Sequence, residues 1–178
     1  ASMTRVGRVF APDPADTGVR QRWFADPRNF DAATKLTVGE DISLPQGLAR
    51  VHINRGVGWE QQGFSGLDGY GWYFQNLQVP EELAGKKHLY LCFRGVNEQA
   101  WVYVNGELVH ERTYASTGKK VTEVSGVPVR FDAAQWLKPG GTNRVAVRVS
   151  HVAGLGGISF PAMLIGTDKE CSWEEVDA

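Results

Sequence analysis

The sequence predicts an antiparallel β-sandwich of the jelly-roll type, and three observations lead to this fold class. Apolar residues recur at every second position in several short segments, which is the pattern of strands with one buried face. Turn signals separate these segments. The two helix-like windows, residues 80–85 and 131–137, are too short to serve as the crossover helices that connect parallel strands.

The first clear strand covers residues 71–80, where the sequence is GWYFQNLQVP. Alternation assigns its side chains to two faces, with Tyr73, Leu77 and Val79 on one and Trp72, Phe74 and Asn76 on the other. Pro80 ends the strand because proline has no backbone N–H to donate to a neighbouring strand. The next strand, residues 87–94, directs three apolar side chains inward: Leu89, Leu91 and Phe93.

A β-hairpin is predicted at residues 99–111. Asn105 and Gly106 both tolerate positive φ, which a tight two-residue hairpin turn requires. The strand before this turn places Ala100, Val102 and Val104 inward, and it places Trp101 and Tyr103 on the opposite face. The last clear strand, residues 143–150, follows a KPGG turn and directs Val145, Val147 and Val149 inward.

The length of 178 residues corresponds to one domain. We expect a cloning scar at residues 1–3, a single sandwich domain at 4–167, and an acidic, solvated tail or linker at 168–178. Lys and Arg number 19 against 20 for Asp and Glu, so there is no basic field to attract nucleic acid. No apolar run approaches the roughly 20 residues of a membrane-spanning helix.

The two cysteines, Cys92 and Cys171, are too few for a zinc site or a disulfide framework. Two interpretations stay open. The simpler one is a half-buried strand cysteine and an unrelated cysteine in the tail, and the other is a single bridge between them.

Aromatic and amide-bearing side chains suggest carbohydrate as the ligand. The C–H faces of sugar rings stack on aromatic rings, and their hydroxyl groups pair with amide, guanidinium and carboxylate groups. The chain has 6 Trp, and residues 56–70 form a glycine-rich polar loop of the kind that carries binding sites. The candidate carbohydrate-binding residues are Trp59, Gln61, Gln62, Asp68, Tyr70, Trp72, Arg94, Asn97, Trp101 and Tyr103.

Several short motifs occur in an order that resembles one known family. They are WEQQG at 59–63, DGYGWY at 68–73, FRGV at 93–96, VYVNG at 102–106, FD at 131–132 and GGI at 156–158. Over about residues 23–166 this pattern resembles the N-terminal sugar-binding domain of glycoside hydrolase family 2. Two departures are Phe74, where a polar or basic residue is more usual, and the absence of an acidic residue in HVAGLGG at 151–157.

The resemblance implies a galactose-binding-like jelly roll that packs beside a catalytic barrel and carries no catalytic residues itself. It implies polysaccharide or oligosaccharide and the parent catalytic domain as partners, and a secreted or periplasmic location. No cofactor is implied, although related modules often hold a structural calcium ion, for which Asp13, Asp16 and Asp132 are the candidates.

Three functions remain in competition. The first is a non-catalytic carbohydrate-binding module that targets an appended glycoside hydrolase. The second is a structural domain that packs against the catalytic barrel and binds no sugar on its own. The third, an independent hydrolase or lyase, is weakest, because no His, Ser or carboxylate stands in a catalytic spacing and nothing fixes the separation of Glu60 and Asp68.

Overall fold

A computed structural model describes residues 4–6, 23–26, 49–51, 56–62, 69–151, 153–160 and 162–177. Short strands occur early in these ranges: β1 (Thr4–Val6), β2 (Trp23–Asp26) and β3 (Ala49–Val51). The later strands are β4 (Gly69–Gln78), β5 (His88–Phe93), β6 (Ala100–Val104), β7 (Glu107–Arg112), β8 (Val129–Asp132), β9 (Thr142–His151) and β10 (Ala162–Thr167).

Helices in the described ranges are short. The α-helices are α1 (Tyr114–Thr117), α2 (Val121–Val124) and α3 (Trp173–Asp177), and two 3-10 turns lie at Trp59–Gln62 and Glu81–Leu83. None of these helices has the length and apolar character needed to cross a membrane. One helix-like window is confirmed as the 3-10 turn at Glu81–Leu83, whereas residues 131–137 instead begin in β8 and continue into a turn.

The strands form two antiparallel sheets, which confirms the predicted all-β sandwich. The four-stranded sheet has the order β1-β10-β5-β8, and the six-stranded sheet has the order β3-β2-β4-β9-β6-β7. The long central pair β4 and β9 stays in register from Gly69 opposite His151 to Gln78 opposite Thr142.

The core lies between the sheets and contains the side chains that alternation placed inward. Leu91, Val102 and Val147 are each 0% exposed, and they belong to one apolar cluster that contains side chains from both sheets. Burial of this apolar area stabilises the sandwich by roughly 25 cal/mol per Å² removed from water.

The predicted hairpin turn is confirmed. Asn105 and Gly106 have φ values of 49° and 88°, as a turn with two positive φ angles requires. The Asn105 amide also donates to the backbone oxygen of Trp136 and to Oδ1 of Asn143, at 3.0 and 2.9 Å. One side chain therefore joins the hairpin to the turn before β9.

The C-terminal segment, whose acidic composition predicts a solvated tail or linker, exposes acidic residues but also packs partly against the domain. Val176 is 1% exposed and packs in a second apolar cluster with Tyr90, Cys92 and Ile165, on the outer face of the four-stranded sheet. The backbone N–H of Cys171 donates to the Tyr90 hydroxyl at 2.9 Å. Apolar Trp173 and Val176 thus attach the segment to the domain despite its charge.

Both cysteines are free thiols, and Cys171 packs partly against the cluster that contains Cys92. Of the calcium candidates, Asp13 and Asp16 lie outside the described residues. The Asp132 carboxylate accepts hydrogen bonds from the backbone N–H groups of Leu89 and Ala134, each at 3.0 Å, so its role is to join β8 to β5.

Candidate functional site

A row of aromatic and guanidinium side chains crosses the outer face of the six-stranded sheet. Strand register places Trp72 of β4 opposite Arg148 of β9, and Arg148 opposite Trp101 of β6. The carbon at the centre of the Arg148 guanidinium lies 5.0 Å from the Trp101 ring centroid and 5.9 Å from that of Trp72. Both distances are within reach of cation–π attraction.

A second aromatic layer adjoins this row. The Trp72 ring stacks on Phe74 at a centroid distance of 6.0 Å and an interplanar angle of 13°. Tyr103 lies against Trp72 at 5.6 Å with a tilt of 45°. We call the four ring side chains Trp72, Phe74, Trp101 and Tyr103, together with Arg148, the outer aromatic face.

The members of the outer aromatic face differ in exposure. Trp72 and Phe74 are 2% and 5% exposed, whereas Trp101 and Tyr103 are partly exposed. Trp72, one of the candidate carbohydrate-binding residues, is therefore buried, because alternation identifies the face of a side chain and not how much of that face is covered. Trp101 keeps the exposure that a stacking platform needs.

Trp59 is also not an exposed platform. Its side chain is 1% exposed and belongs to the apolar core. The indole ring lies so close to the backbone of Gly71 and Gly156 that a Cβ at either glycine would overlap it. His151 meets the ring edge-on at a centroid distance of 5.5 Å. The WEQQG motif therefore inserts its tryptophan between β4 and the loop after β9 instead of presenting it to solvent.

The remaining predicted residues are spread over several places. Gln61 is exposed, and its Oε1 accepts a hydrogen bond from the backbone N–H of Gly58 at 2.7 Å. Gln62 ends the first 3-10 turn and Tyr70 lies in β4 opposite Ser150, but only their backbones are described. Asp68 lies outside the described residues. Arg94 is exposed just after β5.

Asn97, His151 and Glu60 form a cluster of polar side chains at one end of the sandwich, which we call the polar junction. Asn97 Nδ2 lies 2.7 Å from His151 Nδ1 and donates to the backbone oxygen of Ala153 at 3.2 Å. Glu60 Oε1 lies 3.2 Å from His151 Nε2 and accepts from the backbone N–H of Gly156 at 2.7 Å. An imidazole that accepts from the amide at Nδ1 donates to the carboxylate through Nε2–H, so this arrangement fits the neutral ring.

Glu98 and Arg112 extend this junction. Glu98 is 3% exposed and has φ of 40°, an uncommon angle for a residue with a side chain. Its carboxylate accepts from the backbone N–H of Ala153 at 3.3 Å and from the Tyr114 hydroxyl at 3.4 Å. The Arg112 guanidinium donates to the backbone oxygens of Val96, Val127 and Glu98.

Burial shifts the pKa values of two ionisable groups in this region. It lowers the pKa of Arg112 to about 10, so the guanidinium stays charged at neutral pH. Burial also raises the pKa of Tyr73, and the nearby Glu60 charge adds to that rise. The Tyr73 hydroxyl accepts from the backbone N–H of Ile158 at 3.2 Å. The junction thus holds loops in place and keeps its tyrosine neutral.

Sequence reasoning missed Arg148, Glu98 and Arg112. Arg148 has the outward parity in β9, but its position between Trp72 and Trp101 depends on pairing with β4 and β6, which local patterns do not reveal. Among the described residues, no group of three or more His, Cys, Asp or Glu side chains is placed to hold a metal ion.

No family model matches the chain. The sequence is 38% identical over 132 residues to a curated β-galactosidase from Thermoanaerobacter pseudethanolicus (strain ATCC 33223 / 39E), covering 71% of this chain and 16% of that enzyme. The chain therefore spans about one sixth of the length of this relative.

Solved structures share the fold. A β-glucuronidase from an uncultured Clostridium species superimposes with a TM-score of 0.64 at 16% identity, covering 92% of this chain and 31% of that one. A glycosyl hydrolase family 2 member from Bacteroides cellulosilyticus DSM 14838 gives 0.60 at 18% identity, with coverages of 82% and 20%. The chain is therefore similar in sequence to part of a β-galactosidase, and it shares its fold with glycosidases that include a glycosyl hydrolase family 2 member.

Proposed function

We propose that this domain is a non-catalytic carbohydrate-binding module that holds polysaccharide for an appended glycoside hydrolase. The observation that carries the proposal is the partly exposed Trp101 ring next to the Arg148 guanidinium on the outer aromatic face. A flat ring provides the stacking surface and a guanidinium provides in-plane donors, which are the two elements of a sugar site. Partly exposed Tyr103 extends the surface.

The rigidity of this surface supports binding. The Trp101 and Tyr103 side chains stand on β6, whose alternate residues Ala100, Val102 and Val104 are buried in the core. A platform anchored in this way loses little conformational freedom when a sugar ring stacks on it, which favours affinity.

The carboxylates of the polar junction bind backbone N–H groups, and this structural role supports a non-catalytic domain. Glu60 accepts a hydrogen bond from the backbone N–H of Gly156 and Glu98 accepts one from the backbone N–H of Ala153, so both stabilise loop conformation. Glycoside hydrolysis needs one carboxyl group that gives up a proton and a second that attacks or activates water. We infer that the nucleophile and the general acid belong to another part of a secreted or periplasmic parent enzyme.

Affinity electrophoresis of the 178-residue chain against plant and algal polysaccharides tests the proposal. We expect retardation by at least one glycan and a roughly ten- to a hundredfold weaker affinity for Trp101→Ala, by analogy with aromatic truncation at interfaces. Trp136→Ala is the control, because Trp136 packs edge-on against Phe131 and should affect stability and not glycan affinity. Normal binding by folded Trp101→Ala would exclude the outer aromatic face.

The alternative is a structural domain that contacts a catalytic barrel and binds no sugar on its own. Exposed Leu155, at 41%, favours it, since this apolar side chain stands in the loop beside the polar junction. No retardation by any glycan in the panel would support this alternative. Release of reducing sugar by the isolated chain would contradict both functions.

A further inference from the structure

A cleft of about 410 Å³ opens between the start of β5 and the end of β8. The described residues that line it are Lys86, Lys87, His88, Asp132, Ala134 and Gln135. Most of these side chains are polar, and they bring hydrogen-bond donors and acceptors side by side. The volume lies within the range of small-ligand sites, so the cleft is large enough to take a ligand.

His88 and Asp132 form a fixed pair in the wall of the cleft. His88 Nδ1 lies 2.7 Å from Asp132 Oδ2, and the imidazole stacks on Tyr90 at a centroid distance of 5.9 Å and an interplanar angle of 6°. Asp132 Oδ1 accepts from the backbone N–H groups of Leu89 and Ala134. Both side chains are held in place before a ligand arrives, so binding costs little conformational freedom.

The second ring nitrogen of His88 is available to a ligand. The neutral ring donates to the carboxylate through Nδ1–H, which leaves a lone pair on Nε2. Within the part of the chain that the structure describes, Nε2 has no hydrogen-bond partner, and the side chain is 26% exposed. Exposed Gln135 adds an amide that both donates and accepts. A sugar hydroxyl also donates and accepts, so it complements this set of groups.

The charges around the cleft balance. Lys86 Nζ lies 3.0 Å from Asp168 Oδ2 in an ion pair, so one of the two lysines already has a counter-charge. Exposed Lys87 is matched by the carboxylate of Asp132 in the same lining. Among the described residues, two ammonium and two carboxylate groups thus leave no net charge to attract an ion, which favours an uncharged polar ligand.

We propose that this cleft binds an uncharged sugar unit, so that the domain carries a second glycan site. The cleft lies on the outer side of the four-stranded sheet, because His88 stacks on Tyr90 there, whereas Trp101 stands on the outer face of the six-stranded sheet. The outer faces of a sandwich point away from each other, so the two sites hold separate glycan segments. The inference rests on the proposed carbohydrate binding but adds a site to which Trp101 does not contribute.

Titration of the isotope-labelled 178-residue chain with neutral hexasaccharides of glucose, xylose, mannose and galactose, followed by amide NMR shifts, tests the inference. We expect at least one hexasaccharide to shift two separate sets of amides. The first set, at the cleft, is residues 86–88 and 132–135, and the second, at the outer aromatic face, is residues 101–103. Trp101→Ala should weaken only the titration of the second set.

Two substitutions in the lining test the cleft directly. His88→Phe keeps a ring at the stacked position but removes both nitrogens, so it should weaken the cleft titration about tenfold. His110→Phe is the matched control, because the His110 ring stacks on Phe131, outside the cleft, at a centroid distance of 4.9 Å. Gln135→Ala should weaken the cleft titration several-fold, and because Gln135 is exposed, it decides the result if His88→Phe does not fold.

The outcomes separate this inference from the proposed function. Shifts confined to residues 101–103, or normal cleft binding by Gln135→Ala and by folded His88→Phe, overturn the second site alone. Shifts confined to the cleft support the second site and contradict binding at the outer aromatic face. No shift at either place overturns both. A uronate-bearing hexasaccharide that shifts the cleft amides at a lower concentration than the neutral ones overturns the assignment of an uncharged sugar unit.

Discussion

The contact between Gly71 and Trp59 shows how one residue without a side chain fixes the position of a large one. Gly71 lies in β4 directly beneath the Trp59 indole, and the ring occupies the space where a Cβ would stand. Gly156 and Gly157 border the same ring from the loop after β9. Three glycines therefore form the pocket that holds the tryptophan of the first 3-10 turn.

Gly71→Ala tests this pocket. The added methyl group overlaps the Trp59 ring, and overpacking of this kind costs about 1–3 kcal/mol of unfolding free energy. We expect a melting temperature lower by several degrees in thermal unfolding followed by circular dichroism. Gly141→Ala is the matched control, because the nearest atom to its Cβ is 3.8 Å away. Equal melting temperatures for the two variants would contradict the packing described.

At the scale of single residues, alternation predicts the direction of a side chain but not its exposure. Trp101 and Trp72 both point away from the core as predicted, yet Trp101 is partly exposed and Trp72 is buried. Trp59 follows no alternation because it lies in a 3-10 turn. Its burial depends on glycines up to 98 positions away in the chain, which no local pattern contains.

At the scale of elements, the sequence pattern predicted β4, β5, β6, β7 and β9, but it did not predict β8, β10 or the helices α1 to α3. Strand β5 spans His88–Phe93 within the predicted residues 87–94, because three apolar side chains at alternate positions, Leu89, Leu91 and Phe93, specify its inward face. Helix α1 has four residues, too few for helical periodicity, and depends on its ends. Thr113 accepts from the backbone N–H of Ser116, and Gly118 closes the helix with φ of 67°.

Helix α3 offers a test of the C-terminal segment. Val176 is 1% exposed against the outer face of the four-stranded sheet, so Val176→Ala removes buried methyl groups. We expect a loss of about 2 kcal/mol of unfolding free energy in urea titration. Val121→Ala in α2, where the side chain is 45% exposed, should change stability little. A neutral Val176→Ala would mean that the segment does not pack on the sheet in solution.

At the scale of the whole molecule, the fold class was predictable but the strand order was not. The antiparallel sandwich followed from strand periodicity and short connections, whereas β9 lies between β4 and β6 only in the assembled sheet. The outer aromatic face depends on that order, since Arg148 reaches Trp72 and Trp101 from the strand between them. The outer aromatic face thus depends on contacts between distant parts of the sequence.

Arg112 joins the two sheets, and its removal is the strongest test of the assembled fold. The residue ends β7 of the six-stranded sheet, and its guanidinium donates to the backbone oxygens of Val96 and Glu98 after β5 and of Val127 before β8. Arg112→Met keeps the length of the side chain but removes the guanidinium that donates to these oxygens. Because Arg112 is 2% exposed, the substitution leaves the oxygens without a donor in a buried site.

We expect Arg112→Met to lose about 3 kcal/mol or more of unfolding free energy, because each buried acceptor that loses its donor costs about 1–3 kcal/mol. Amide hydrogen exchange should show the largest loss of protection in residues 94–99 and 125–128, where the acceptors lie. Arg94→Met is the matched control, since Arg94 is exposed and should leave stability and exchange unchanged. Loss of protection spread evenly over both sheets would contradict a local role for Arg112 in joining them. Unchanged stability would show that other contacts suffice to hold the sheets together.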